Sequence, residues 1–214
     1  MAEAVDKAYR AVRDGIMRGL YPPGAHITAQ DLAAASGLSR TPVREAMRRL
    51  HAEGLIQIIP NRGAFVARWT EDEIEQIYGL RVLLEGFAAE LAAKRATEAQ
   101  VASLRALAEE MQSLVQGGAQ SIEAIAKVND GFHKAVLSAC GNPRLGDLLR
   151  ALVEVPLVIS TFQRYEPEEL RRSVTQHLEL VDAIGAHDPE WARNVMAAHI
   201  LSARHTLLRS FHLA

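Results

Sequence analysis

Apolar residues recur every three or four positions along most of the chain, which is the spacing of an amphipathic helix. Near the N-terminus this spacing predicts three helices, at about 6–20, 29–36 and 40–53. Beyond Gly54 the pattern becomes compatible with extended chain, and Leu55–Ile59 and Ala64–Ala67 flank the turn residues at positions 60–63. These residues predict a small β-hairpin.

From Thr70 onward every segment has the helical spacing. Thr70 with Glu73, and Thr97 with Gln100, have the pattern of capping boxes, in which two side chains satisfy backbone N–H groups at a helix start. The pattern predicts six helices, at about 70–95, 97–116, 121–140, 143–164 with an interruption at Pro156, 167–186 and 188–211. The chain is therefore predicted to be mainly α, with an N-terminal domain over 1–68 and an all-α antiparallel bundle over 71–214.

The helix that follows Gly37 has one apolar face and one cationic face. The apolar side carries Val43, Ala46, Met47 and Leu50, and the other side carries Arg40, Thr41, Arg44 and Arg48. Two helices joined by a glycine turn, the second with an arginine-rich exposed start, are typical of a helix-turn-helix, because guanidinium groups bind guanine edges in the major groove. The alternative is an ordinary solvated face in which Glu45 pairs with Arg49.

The start of this helix also has two interpretations. Either Ser39 caps the helix with Pro42 in its first turn, or Thr41 caps it with Pro42 at the first helical position.

The predicted hairpin adds a basic tip at Arg62 and Gly63, and an arginine there can enter the minor groove beside a recognition helix. The run LSRTPVREAMRRLHAEGLI, followed by PNRGAFV, resembles the winged helix of the GntR superfamily of bacterial transcription regulators. The resemblance implies which residues contact DNA: Ser39, Arg40, Thr41 and Arg44 on the recognition helix, with Arg48 on the same cationic face, and Arg62 and Gly63 at the wing tip.

Three histidines lie inside apolar stripes of three different predicted helices: His133, His177 and His199. One histidine in a core stripe is usually a hydrogen-bonded structural residue. Three on separate helices of one bundle would leave several buried nitrogens without partners unless they converge, and a divalent metal satisfies them together. Imidazole donors suit zinc or nickel better than magnesium.

The helix after Thr70 carries Arg81 in a stripe where leucine is expected. One interpretation is an i,i+4 pair of Arg81 with Glu85 at the edge of the bundle. The other is a guanidinium that lines a cavity and binds the carboxylate of a ligand.

The segments GLRVLLEGFAAELAA, NDGFHKAVLSACGNP, QHLELVDAIGAHDPEWA and AHI resemble the FCD domain of the FadR-like branch, and the six-helix count is similar to the VanR-like subgroup. In metal-binding members the first ligand is usually an aspartate four residues before the histidine of the FH pair. Asn129 occupies that position here, so the resemblance implies a metal site of Asn129, His133, His177 and His199, with the amide as a weak ligand.

Charge and composition separate the two predicted domains. Residues 1–68 carry 10 Lys+Arg and 6 Asp+Glu, which leaves 14 basic and 20 acidic residues for the rest. The excess of basic residues in the N-terminal domain favours binding to nucleic acid. The single Cys140 and the lack of a long apolar run favour a reducing cytoplasm and no membrane span.

Together these features predict a cytoplasmic, homodimeric transcription regulator that binds palindromic double-stranded operator DNA. Its effector would be a small organic acid held by a divalent metal and Arg81. One alternative keeps the DNA-binding domain but makes the metal purely structural. Another is a metalloenzyme in which a metal-bound water is the nucleophile, and its weakness is that no predicted stripe places a carboxylate beside the histidines as a general base.

Overall fold

The structure is a computed structural model that describes residues 1–17, 19–60, 62–117, 122–153 and 155–212. The chain divides into two compact units, one built mainly from Met1–Trp69 and the other mainly from the residues that follow Thr70. The expected fold class is confirmed, because a small mixed unit precedes an all-helical one.

The first unit is three helices and a three-stranded antiparallel sheet. Its elements are α1 (Ala2–Met17), β1 (His26–Ile27), α2 (Ala29–Ser36), α3 (Arg40–Ala52), β2 (Ile56–Ile59) and β3 (Gly63–Val66). The strand order is β1-β3-β2, and β3 pairs with both neighbours. The strand β1 lies outside the predicted elements because two residues are too few to show a period.

The helix starts of this unit follow from local side chains. The Thr28 hydroxyl accepts a hydrogen bond from the Asp31 N–H at 3.1 Å, and Gly37 ends α2 with a φ of 65°. Ser39 is at the N-cap position of α3 and Pro42 lies in the first turn, but the Ser39 side chain makes no capping hydrogen bond. The first of the two interpretations is therefore correct for where the helix starts and wrong for the side-chain cap. Helix α1 begins and ends earlier than the predicted 6–20.

The second unit contains seven helices in its described residues, whereas six were predicted. They are α4 (Glu71–Arg95), α5 (Glu98–Gln116), α6 (Ile122–Cys140), α7 (Pro143–Leu152), α8 (Val155–Phe162), α9 (Pro167–Gly185) and α10 (Pro189–His212). The predicted helix over 143–164 is two helices because Pro156 lacks an N–H and disfavours helical backbone before it. Ser121 and Asn61, which were assigned to a helix and to the hairpin turn, lie outside the described residues.

Helix α4 organises the bundle. It packs against α6, α7, α9 and α10, while α5 packs against α6 and α9. Both predicted capping boxes are present, at Thr70 with Glu73 and at Thr97 with Gln100. Among the described residues, none of the helices combines the length and the apolar character that crossing a membrane requires.

Candidate functional site

The N-terminal half of α3 presents the predicted contact residues on one outer face. Ser39, Arg40, Thr41 and Arg44 are all exposed, while the opposite side of the helix is buried at Val43, Ala46, Met47 and Leu50. Arg40 Nη2 donates to Gln30 Oε1 on α2 at 3.2 Å, which ties the start of α3 to the preceding helix. This face therefore carries hydroxyls, guanidinium groups and a helix start in one place.

The arginines of α3 divide into two groups. Arg48 pairs with Glu45 at 2.7 Å, and Arg49 pairs with Asp6 and Glu53, so the alternative Glu45–Arg49 pair is not formed among the described residues. Arg49 instead pairs with Asp6 at 3.1 Å and lies 3.9 Å above the Tyr9 ring centre, which fastens α3 to α1. Arg49 has a structural role, whereas Arg48 remains on the exposed face with Arg40 and Arg44.

The hairpin tip requires glycine at Gly63 for two reasons. Its φ is 91°, and a Cβ atom there would lie 2.4 Å from His26 Nε2. Arg62 Cζ lies 6.0 Å from the Phe65 ring centre, and the Phe65 ring packs against His26 at a centroid distance of 4.8 Å. His26 is a wing residue that sequence reasoning missed, because β1 has no detectable period.

The three histidines of the bundle lie together. His133 on α6, His177 on α9 and His199 on α10 each place one ring nitrogen within 4.8 Å of the others. The ring centroids are separated by 5.7 Å for His133 and His177, 5.5 Å for His133 and His199, and 4.5 Å for His177 and His199. Three separate helices thus deliver imidazoles to one point in the interior.

Hydrogen bonds at Nδ1 set the tautomer of each ring. His133 Nδ1 donates to Glu85 Oε2 at 2.6 Å, and His177 Nδ1 donates to the Ser173 carbonyl at 2.7 Å. His199 Nδ1 lies 3.3 Å from Gln176 Oε1. Because all three partners are acceptors, each Nδ1 is the donor, and in a neutral ring the Nε2 lone pair is then available. His133 Nε2 is buried and has no hydrogen-bond partner in the described part of the chain.

Burial keeps two of these rings neutral. Desolvation, reinforced by His133, lowers the pKa of His177 to about 3. Desolvation, with the neighbouring His177, lowers the pKa of His199 well below its usual value. Both rings are therefore unprotonated at Nε2 near neutral pH, which is the state that binds a metal ion.

Asn129 completes the cluster from α6. It is buried, and its Oδ1 lies 3.1 Å from His177 Nε2. In this orientation two lone pairs face each other with no proton between them, as two ligands of one cation do. The donor set of three imidazole nitrogens and one amide oxygen suits a borderline transition metal.

Arg81 and Glu85 are a buried ion pair beside this cluster. Arg81 Nε donates to Glu85 Oε1 at 2.7 Å, and both side chains are almost fully buried. The expected pair exists, but it lies in the interior and not at the bundle edge. Burial alone would raise the pKa of the Glu85 carboxyl. The interactions with Arg81 and His133 have a larger, opposite effect and lower this pKa to about 2. Burial also opposes the charge of Arg81, but Glu85 outweighs it and raises the Arg81 pKa.

Glu85 corrects one expectation from the sequence. No carboxylate was predicted beside the histidines, but Glu85 Oε2 bonds directly to His133. In the sequence, the position of Glu85 four residues after Arg81 predicted the ion pair between them. It did not predict that Glu85 contacts α6. The carboxylate faces the Nδ1 side of His133, where it orients the ring.

Comparison with known proteins identifies the family. The model for "FCD domain" matches residues 76–202, and the model for "Bacterial regulatory proteins, gntR family" matches residues 4–66. The chain belongs to the gntR family of bacterial regulatory proteins. It is a DNA-binding transcription regulator with an FCD domain, as the resemblance implied, and not an enzyme.

Individual relatives of this gntR-family chain match nearly its whole length. The HTH-type transcriptional regulator McbR of Escherichia coli is 30% identical over 84% of this chain and 81% of its own. The HTH-type transcriptional repressor RspR of the same organism is 27% identical over 90% of this chain and 83% of its own. The solved structure of E. coli McbR/YncC has a TM-score of 0.73 and 26% identity, and the match covers 99% of this chain and 100% of that one.

Proposed function

We propose that this regulator holds a divalent metal ion through His133, His177 and His199, with Asn129 as a weaker fourth ligand. The observation that carries the proposal is the convergence of three imidazoles inside the bundle, each with its Nδ1 facing an oxygen acceptor. Their nitrogens lie close enough for one ion to reach all of them after small side-chain shifts, because metal–imidazole bonds are about 2.0–2.1 Å long.

A metal also removes an energetic problem. Without a metal, the buried His133 Nε2 has no hydrogen-bond partner among the described residues, and an unsatisfied buried polar atom costs about 1–3 kcal/mol. Imidazole ligands select borderline transition metals, so zinc or nickel is proposed ahead of magnesium. The Glu85–His133 bond then orients one ligand and makes it more basic.

The effector is proposed to be a small organic acid. The proposed ligands are neutral, and Glu85 balances the charge of Arg81, so the ion keeps its double positive charge in a buried site. An anion is strongly favoured there. The acid would bind the open positions of the metal through its carboxylate. Arg81 uses Nε for Glu85, and its two Nη groups are the proposed second contact.

The proposed function also includes binding of operator DNA by the N-terminal domain. The exposed face of α3 and the wing would bind a palindromic operator as a homodimer, because a single recognition helix makes too few base contacts for useful specificity. Repression is the proposed mode of action, since the relative RspR is named a transcriptional repressor. Occupancy by the acid would change the affinity for the operator.

Metal content tests this proposal. Chelator-treated protein should regain about one zinc or nickel ion per chain on dialysis, with a rise in melting temperature, because ligand binding stabilises the folded state. His199→Ala should abolish both the uptake and the metal-dependent rise. His205→Ala is the matched control, since His205 is exposed on the same helix and should leave both unchanged.

Two results would decide against parts of the proposal. Unchanged metal stoichiometry in His133→Ala, His177→Ala and His199→Ala would show that these residues are not the ligands. The protein could instead bind the metal normally while no organic acid raises its melting temperature or alters its DNA binding. That result would show that the metal has a structural role only.

A further inference from the structure

The outer face of the N-terminal sheet carries a row of three side chains. His26 on β1 pairs with Phe65 on β3, and Phe65 pairs in turn with Gln57 on β2. Cross-strand partners lie on the same face of a sheet, so these side chains are neighbours. His26 and Gln57 are exposed and Phe65 is half-buried, whereas Ile27 and Ala64, which alternate with them, are buried in the core. The row therefore lies on the side of the sheet away from the core.

The His26 ring leans along this face toward the wing tip. It packs on the ring of its strand partner Phe65 at a centroid distance of 4.8 Å. Its Nε2 nevertheless occupies the space that a Cβ atom of Gly63, two residues nearer to the tip, would fill. Phe65 and Gly63 thus fix the position of the imidazole, so a contact made through this ring costs little side-chain entropy.

The fold leaves the polar atoms of this ring unused. Neither ring nitrogen of His26 has a hydrogen-bond partner in the described part of the chain. By contrast, His51 at the end of α3 bonds the Ile56 carbonyl through Nδ1 at 3.0 Å. An imidazole carries at least one N–H donor in either protonation state. His26 therefore presents a fixed donor beside the wing tip.

The charge around His26 is positive and has no local compensation. Positions 15–30 and 54–70, which contain the three strands and their connections, include no aspartate or glutamate. Arg62 at the tip and Arg68 after β3 are both exposed. A hydrogen-bond donor on a surface of this sign suits a polyanion.

The position of β1 decides which part of a duplex His26 reaches. An arginine at the wing tip can enter a minor groove, and a phosphate backbone borders that groove on each side. His26 lies outside the hairpin, on the neighbouring strand, so its ring faces the border of the groove and not its floor. Phosphate oxygens accept hydrogen bonds, and the imidazole N–H donates one.

We propose that His26 is a contact to the DNA backbone, in which a ring N–H donates to a phosphate oxygen beside the minor groove that Arg62 enters. Such a contact carries no sequence information and holds the wing in register on the duplex. The inference rests on the proposed placement of the wing against DNA, and it adds β1 to the DNA-binding surface. It requires neither the metal nor the acid.

Two substitutions at His26 separate hydrogen bonding from packing. The full chain is titrated at one salt concentration with a short duplex of mixed sequence and with a duplex that the wild type selects from random DNA. His26→Phe keeps a ring against Phe65 but cannot donate, so it should bind both duplexes about fivefold or more weakly. His26→Gln keeps an N–H donor and should bind within about threefold of wild type. A ring that only packs would give the opposite order.

The control is His205→Phe on α10, which replaces another exposed histidine and should bind both duplexes as wild type does. Arg44→Ala provides the comparison for a base contact, because it should weaken binding to the selected duplex more than to the mixed one. Equal melting temperatures check that the variants are folded.

A phosphate scan locates the contact. Methylphosphonate linkages, which carry no charge, replace the phosphates of the selected duplex one at a time. At the contacted position the wild type should lose affinity, and His26→Phe should lose no more than it already has. His26→Arg places a permanent cation there and should steepen the dependence of log affinity on log salt by about one unit.

The remaining outcomes distinguish His26 from the wing as a whole. His26→Phe binding as wild type, or a loss that His26→Gln does not recover, would overturn the proposal. If Arg62→Ala is weakened and His26→Phe is not, the wing binds DNA and only the role of His26 is wrong. If neither is weakened while Arg44→Ala is, the proposed placement of the wing fails together with this inference.

Discussion

At the scale of single residues, Glu85 connects the guanidinium of Arg81 to the imidazole of His133. One carboxylate oxygen accepts from Arg81 and the other from His133, at 2.7 and 2.6 Å. Breaking a buried ion pair by removing one partner costs about 3–5 kcal/mol, because the remaining charge stays buried. Replacing Arg81 by leucine would therefore disturb Glu85 and His133 together.

The buried imidazoles predict acid sensitivity of the metal-free protein. The unfolded chain binds protons on His177 and His199 below about pH 6.5. In the folded chain both rings stay neutral below this pH, and His177 stays neutral down to about pH 3. The contribution of the two neutral rings to the free energy of unfolding is therefore complete above pH 6.5. It decreases as the pH falls, by at most about 1.4 kcal/mol per pH unit for each ring. Glu85 adds a further loss below its unfolded pKa of 4.5, towards about pH 2.

Urea unfolding of chelator-treated protein between pH 7.5 and 5.5 measures this effect. The free energy of unfolding of His177→Asn should change less steeply with pH, because unfolding takes up about one proton fewer. The variant of the exposed residue, His205→Ala, should have the same slope of free energy against pH as wild type. A free energy of unfolding that stays constant or rises as the pH falls through this range would contradict the assignment of neutral buried rings.

At the scale of elements, α3 uses its two sides for different purposes. The side with Arg49 and Val43 holds the helix in the N-terminal unit, and the side with Arg40 and Arg44 is exposed. The wing depends on close packing at its tip, where the His26 ring occupies the space beside Gly63 that a side chain would fill. Helix α3 thus has one packed side and one exposed polar side.

Two arginine substitutions on α3 should separate these purposes. Arg44→Ala should weaken specific DNA binding by about 1–3 kcal/mol and relax the base preference at one position. Arg49→Ala should lower the thermal stability of the protein while sequence preference is kept, since Arg49 bonds Asp6 and stacks on Tyr9. Binding titrations at one fixed salt concentration check both, because phosphate contacts depend strongly on salt. Full affinity and preference in Arg40→Ala and Arg44→Ala would refute the assignment of the recognition face.

At the scale of the whole molecule, the proposed acid and the operator are coupled ligands. Coupling free energies of this kind are about 1–3 kcal/mol, or roughly 5–150-fold in affinity. The reciprocal effect must be equal, so operator DNA should change the affinity for the acid by the same factor.

Arg81→Lys tests this coupling without leaving Glu85 unpaired. Lysine keeps the positive charge but lacks the planar donor pair of arginine, so the acid should bind about tenfold or more weakly while metal content is retained. The measurement is the acid concentration at half-maximal change in DNA affinity. An unchanged midpoint, or an equal response to a neutral amide of the same shape, would restrict Arg81 to the role of partner for Glu85.

Much of the molecule was determined by residues within a few positions of one another. The capping boxes at Thr70 and Thr97, the glycine turn after α2 and the two faces of α3 are all local, and the sequence pattern predicted them. The split of one helix into α7 and α8 was also signalled locally, at Pro156, although the count of six helices was wrong.

Contacts between distant positions were decided by the tertiary structure alone. His133 and Glu85 are 48 residues apart, as are His177 and Asn129, and only the packing of α4, α6 and α9 brings each pair together. Strand β1 exists because β3 pairs with it, and the exposure of Leu83 follows from which face of α4 the other helices cover. Periodicity states that a helix has an apolar face, but which neighbour covers that face depends on the free energy of packing in three dimensions.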